Sequence, residues 1–125
     1  MAKFDKFEEI KAWQKAREIT LHVYRATSNG NFAKDFGLKD QIRRASVSIM
    51  ANIAEGHGRR TNSEFANFLN LARGSVAEVQ SHLYVAVGLN YIDQLEFDRL
   101  YSELTEVSRM TLALAKYLRE NQKTL

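Results

Sequence analysis

Residues 41–60 read "QIRRASVSIMANIAEGHGRR", and the spacing of their isoleucines decides the fold. At about 100° per residue, Ile42, Ile49 and Ile53 share one side of a helix. With Leu38 and Ala45 they form a core-facing stripe that Gly56 and Gly58 bring to an end. The same helix has a second apolar side, because Val47, Ala51 and Ala54 gather between about 120° and 180° from Ile42. Only Arg44, Ser48, Glu55 and, at the edge, Asn52 are left as a polar strip. One face is all that a helix in a monomeric bundle needs to bury, so another helix or subunit is expected to cover Val47, Ala51 and Ala54.

Working outward, the same period recurs in three further segments. Ala12, Trp13, Ala16, Ile19, Thr20, Val23 and Tyr24 make a stripe in a helix over about residues 7–27, closed by the turn residues "TSNGN". A loop through Phe36 and Gly37 leads to the second helix, over about 38–56. Thr61 and Glu64 have the spacing of a capping box, opening a third helix over 62–88 whose stripe runs from Phe65 to Ala86. Asp93, followed three residues on by Glu96, opens a fourth over about 94–121, lined by Leu100, Leu104, Val107, Thr111, Leu114 and Leu118.

Proline is absent and the six glycines lie mostly at junctions; long helices are permitted and short-turn β architectures disfavoured. The expected fold is all-α: one antiparallel up-down-up-down four-helix bundle over residues 1–125, assembling as a ring-like homo-oligomer. Gly74 bears on the assembly. A glycine inside a helix costs about 1 kcal/mol relative to alanine, and Gly74 lies on a small-residue line with Ala77, away from the core stripe. Either another backbone approaches closely there, or the glycine fits a crowded bundle interior.

A chain of 125 residues can bury a substantial core without staples. With no cysteine, there is no disulfide framework or thiolate metal site, which suits a reducing cytoplasm. The N-terminal "MAKFDKFEEIKAW" alternates charged and apolar residues, so neither a signal peptide nor a membrane span is expected. Net charge is +3 and the pI about 9.3, permitting a polyanionic partner without demanding one. Residues 1–60 carry 12 basic against 7 acidic side chains and residues 61–125 carry 6 against 8. An anion-seeking surface should therefore draw on the first half.

Catalytic patterns are hard to find. Di-iron bundles use Glu-x-x-His to put two ligands on one helix face, and this chain has none; Glu18 with His22 and Glu78 with His82 are four apart and read as surface i, i+4 pairs. No serine is matched with a histidine and an orienting carboxylate, and without strands the glycines of "GHGR" make no phosphate loop. No catalytic residue, metal, cofactor or small-molecule substrate is expected; an enzyme built on Glu55, Glu64 and Glu78 is the least favoured class. The basic residues offer more. Arg59 and Arg60, beside His57 at the helix exit, are candidate anion contacts, with Arg43 at the other end of the helix about 24 Å away. Repeated around a ring, such residues would bind nucleic acid through its phosphates. The competing reading pairs Arg43, Arg44 and Arg73 with Glu55, Glu64 and Glu78, Asn52 included, in a polar seam that orients helices.

The pieces "QIRRASVSI", "NIAEG", "FL" and "ARGS..E" between Leu38 and Leu83, with "WQKAREIT" at 13–20, resemble the four-helix-bundle proteins encoded by intervening sequences of bacterial 23S ribosomal RNA genes. That resemblance implies an antiparallel bundle, a homopentameric ring and no assigned activity. The family is also similar to the accessory variability determinant of diversity-generating retroelements, a basic pentameric barrel that associates with a reverse transcriptase and nucleic acid. A non-enzymatic scaffold or adaptor is therefore expected, its partner being nucleic acid, RNA or DNA, or a nucleic-acid-handling protein. A purely structural protein–protein module is the alternative.

Overall fold

The computed structural model describes residues 4–121. It is all-α, with no strand among the described residues. A 3-10 turn at Phe7–Glu9 precedes α1 (Lys11–Ala26); α2 (Gly30–Lys34) is short; α3 (Phe36–His57), α4 (Asn62–Gly88) and α5 (Gln94–Glu120) are long. The helices lie close to the expected segments, with two differences. The stretch 7–27 is broken at Ile10, whose extended backbone (φ −76°, ψ 118°) separates the 3-10 turn from α1. This break buries Ile10 and sets Phe7 edge-on to Trp13 at 5.0 Å. The loop expected through Phe36 and Gly37 is helical instead. Asp35 caps α3, accepting the Leu38 N–H at 3.1 Å, so the helix starts at Phe36, two residues before the apolar stripe suggests.

The other caps follow the sequence closely. Thr61 Oγ1 accepts the Glu64 N–H at 3.1 Å and donates to the Glu64 carboxylate at 3.2 Å; Asp93 accepts the Glu96 N–H at 2.8 Å. At the end of α4, Asn90 adopts φ +60°. Its N–H then reaches the Val87 carbonyl and the Tyr91 N–H the Ala86 carbonyl, the paired bonds by which a left-handed residue closes a helix.

Each long helix packs against two others: α1 on α3 and α5, α4 on α3 and α5. In every pair the residue numbers run oppositely. Lys15 meets Glu106 and His22 meets Glu96 between α1 and α5; Gln80 meets Thr105 and Asn67 meets Arg119 between α4 and α5. One core fills the space enclosed, with Ile19, Ile49, Ile53, Leu69, Val79 and Leu104 almost wholly removed from water. Burying each such side chain stabilises the fold by about 1.5–3 kcal/mol. Polar atoms inside it are satisfied locally. The buried Thr20 hydroxyl has the carbonyl of Ala16 at 2.8 Å and that of Ser46, across on α3, at 3.1 Å.

Close approach of α3 and α4 depends on Gly56. A β-carbon there would stand 2.7 Å from Phe68 Cβ and 3.0 Å from Phe65 Cδ1. The glycine that reads in sequence as a helix stop is thus a packing requirement inside α3. Gly74 is the reverse case: it is exposed, and nothing lies within 4 Å of where its β-carbon would be. No crowding within the subunit calls for a glycine at that position.

Candidate functional site

The α3 exit is more occupied than its sequence suggests. His57 is the last residue of α3, not a loop residue; its Nε2 lies 2.8 Å from the Phe4 carbonyl and its ring packs edge-on against Phe65. This imidazole fastens the N-terminal segment through Nε2, so of its two nitrogens only Nδ1 is left for the anion contact expected of His57. Arg59 is exposed, yet Glu55 holds it at 2.7 Å and its guanidinium covers the Phe68 ring at 4.6 Å. An exposed pair of this kind contributes about 0.3–0.5 kcal/mol, so a phosphate could displace Glu55 at small cost. Arg60 is exposed and makes no hydrogen bond or ion pair among the described residues.

Arg43 also departs from its expected role. Its Nε donates to Thr27 Oγ1 at 2.7 Å, one terminal nitrogen donates to the Tyr24 carbonyl and to Ser28 Oγ, and the guanidinium lies 4.4 Å from the centre of the Tyr24 ring. Nε and one terminal nitrogen are engaged in closing the α1 C-terminus, which leaves the other terminal nitrogen for a phosphate. A helix end supplies unpaired carbonyls that attract cations, and this arginine answers that demand.

The polar seam, too, is arranged differently. Arg44 pairs with Asp40 at 2.8 Å, Glu55 with Arg59, and Glu64 with its own cap; Glu78 Oε2 is 3.5 Å from His82 Nε2. Asn52 donates to the carbonyl and hydroxyl of Ser48. Apart from Glu78, whose neighbour His82 Nε2 has no hydrogen bond, these groups close locally, because i, i+4 partners are nearer than any across an interface. What bridges the helices is smaller: Ser75 Oγ to Ser48 Oγ at 2.9 Å between α4 and α3. Arg73 has no such partner. It is half-buried, and its Nε is sealed from solvent with no acceptor, at a cost of about 1–3 kcal/mol for an unpaired donor.

Sequence reasoning missed the ties between elements, two of which involve titratable side chains it had singled out or passed over. His22 bonds Glu96 on α5 at 2.8 Å instead of Glu18, which lies 3.3 Å from Arg17. Tyr91 donates its hydroxyl to Asp35 at 2.9 Å and stacks on Phe32 at 5.1 Å. That hydrogen bond, with desolvation and the carboxylate charge behind it, raises the Tyr91 pKa above the ordinary tyrosine value of 10.0. Among the described residues, no three His, Cys, Asp or Glu side chains converge, and no helix is long and apolar enough to cross a membrane.

The outward sides of α3 and α4 remain. Val47 is 40 % exposed and Ala51 exposed, while Ala54 is half-buried; on α4, Leu71 is 56 % and Val85 47 % exposed, with Gly74 and Ala77 also open to solvent.

These features define an all-α helical protein with Arg43 and Arg59 engaged at its helix ends and uncovered apolar side chains on two neighbouring helices. The 23S rRNA-intervening sequence protein family matches residues 8–113, and the chain belongs to that family. A similar fold occurs in a crystal structure from Bacteroides thetaiotaomicron, a protein of unknown function from the S23 ribosomal protein family. That structure is 25 % identical, with a TM-score of 0.76, over 84 % of this chain and 98 % of the other. Comparison with curated proteins returned no match.

Proposed function

We propose that this protein is a non-enzymatic scaffold: an up-down-up-down four-helix bundle whose copies assemble through the outward sides of α3 and α4 into a ring, and whose basic exterior engages nucleic acid. One observation carries the assembly. Gly74 sits mid-helix and exposed, with open space at its β-carbon position, although alanine there would favour the helix by about 1 kcal/mol. A glycine that the subunit does not need is accounted for by a neighbour that must come close. Exposed Leu71 and Val85 on the same helix, with Val47 and Ala51 on α3, supply the apolar area that such a contact would bury. The family resemblance suggests five copies.

The nucleic-acid part of the reading rests on a net charge of +3 multiplied around the ring, and on Arg59 and Arg60 at its surface. A cytoplasmic location accords with it. Light scattering at micromolar concentration tests the assembly, and a monomer would end the proposal. Co-purification with and without nuclease tests the partner: material lost on nuclease treatment supports nucleic acid. A protein partner that survives nuclease would favour the second reading, a module for protein–protein contact alone, which the partly engaged Arg43 and His57 favour.

A further inference from the structure

Between α4 and α5, next to the Asn67–Arg119 bond, lies a groove of about 650 Å³ lined chiefly by Asn70, Arg73, Leu112, Lys116, Arg119 and Glu120. Three cations share it with one carboxylate. Arg73 and Lys116 have no polar partner among the described residues, and Arg119 donates to Asn67 Oδ1, an uncharged acceptor that leaves the guanidinium charge uncompensated. A basic face fully open to water would need no further account. Arg73 is different, because its Nε–H is sealed from solvent with nothing to donate to. Gathering like charges around a donor without an acceptor is unfavourable by itself and is relieved by an anion. The Nε–Nη edge of a guanidinium matches two oxygens of a phosphate, and a lysine adds a third charge-assisted contact. Leu112, 47 % exposed on the groove wall, offers an apolar surface to whatever the phosphate is attached to.

We propose that the α4–α5 groove is a phosphate-binding site, with Arg73 as the two-pronged ligand and Lys116 and Arg119 closing over the anion. Binding requires the Arg73 guanidinium to turn so that its Nε–H, now sealed from solvent, meets a phosphate oxygen in the groove. The phosphate belongs to a nucleic-acid backbone or to a small phosphorylated molecule. In the first case the site deepens the nucleic-acid reading above; in the second it stands without it. Gly74 points about 100° round α4 from Arg73, but only about 40° from Asn70 on the groove's edge, so the assembly face borders the groove on that side.

The test uses the full chain, labelled with ¹⁵N, observing arginine Nε–H resonances during titration with inorganic phosphate and then with a single-stranded RNA oligonucleotide. The expected result is a saturable displacement of the Arg73 resonance, with affinity reduced about tenfold or more in the Lys116→Glu, Arg119→Glu double variant. Both substituted residues are exposed, and an unchanged helical circular dichroism spectrum certifies the fold. Arg73→Lys, which keeps the charge but loses the fork, should weaken binding several-fold. If phosphate displaces Arg73 and RNA does not bind, the site stands and the nucleic-acid reading falls. Should RNA bind while leaving Arg73 unmoved and ignoring the double variant, the site falls and that reading stands. No displacement by either ligand overturns the proposal.

Discussion

Gly56 lies beneath Phe68 so closely that a β-carbon added to it would stand 2.7 Å from the Phe68 β-carbon. This proximity lets α3 and α4 close on each other near the α3 exit. Gly56→Ala gains helix propensity, yet it must push the two helices apart where the backbone carbonyl of Phe65 is also only 3.3 Å away. We expect a net loss of about 1–3 kcal/mol, read as a lower urea midpoint with an unchanged slope.

Arg43 is expected to matter for stability more than for binding. Arg43→Ala removes the donor to the buried Thr27 hydroxyl, two weaker bonds and the packing against Tyr24. Its cost should be about 1–3 kcal/mol, and Arg43→Lys should recover little of it, since an ammonium cannot reproduce the fork. Denaturation of both variants checks this.

A different pair of arginines carries the electrostatic expectation. Arg59→Glu with Arg60→Glu should cost about 1 kcal/mol of stability, through the lost Glu55 pair and Phe68 contact, while reducing RNA affinity at low salt. Its salt dependence should flatten by about one unit of slope for each phosphate no longer neutralised. Fluorescence anisotropy across a salt series measures both.

Tyr91 and Asp35 predict an alkaline effect with a definite sign. The folded Tyr91 pKa lies above its ordinary value of 10.0 because the hydroxyl donates to Asp35. In that window the folded state holds a proton that the unfolded state has released. The contribution is therefore complete below about pH 10 and lost as pH rises through the folded value. Tyr91→Phe lacks this term, so the stability difference between wild type and variant should shrink above pH 10. A constant difference up to the alkaline limit would show that the Tyr91–Asp35 bond does not set it.

What was legible in the sequence was whatever a helix writes along itself. The Ile42, Ile49 and Ile53 stripe and the caps at Thr61 and Asp93 are set by spacings of three to seven residues, which periodicity and capping chemistry resolve. Asp35 escaped notice because it starts a helix before the apolar stripe begins and is held by Tyr91, 56 residues later. The polar seam failed for a related reason: Arg44 and Glu55 each found a partner one turn away. His22 did the opposite, passing over Glu18 for Glu96 on another helix. The cluster of Arg73, Lys116 and Arg119 could not be read at all without the register of α4 against α5, which no local pattern encodes. Family resemblance was legible from short motifs; the roles of Arg43 within them and of His57 just after one needed the packing.

The assembly is the central claim, and the mass of the protein in solution tests it most directly. Size-exclusion chromatography with light scattering at micromolar concentration should give a multiple of the 14.3 kDa subunit, five-fold if the family resemblance holds. Gly74→Leu should shift that mass toward the single subunit without loss of helical signal. A wild-type mass of one subunit, independent of concentration, would contradict the account.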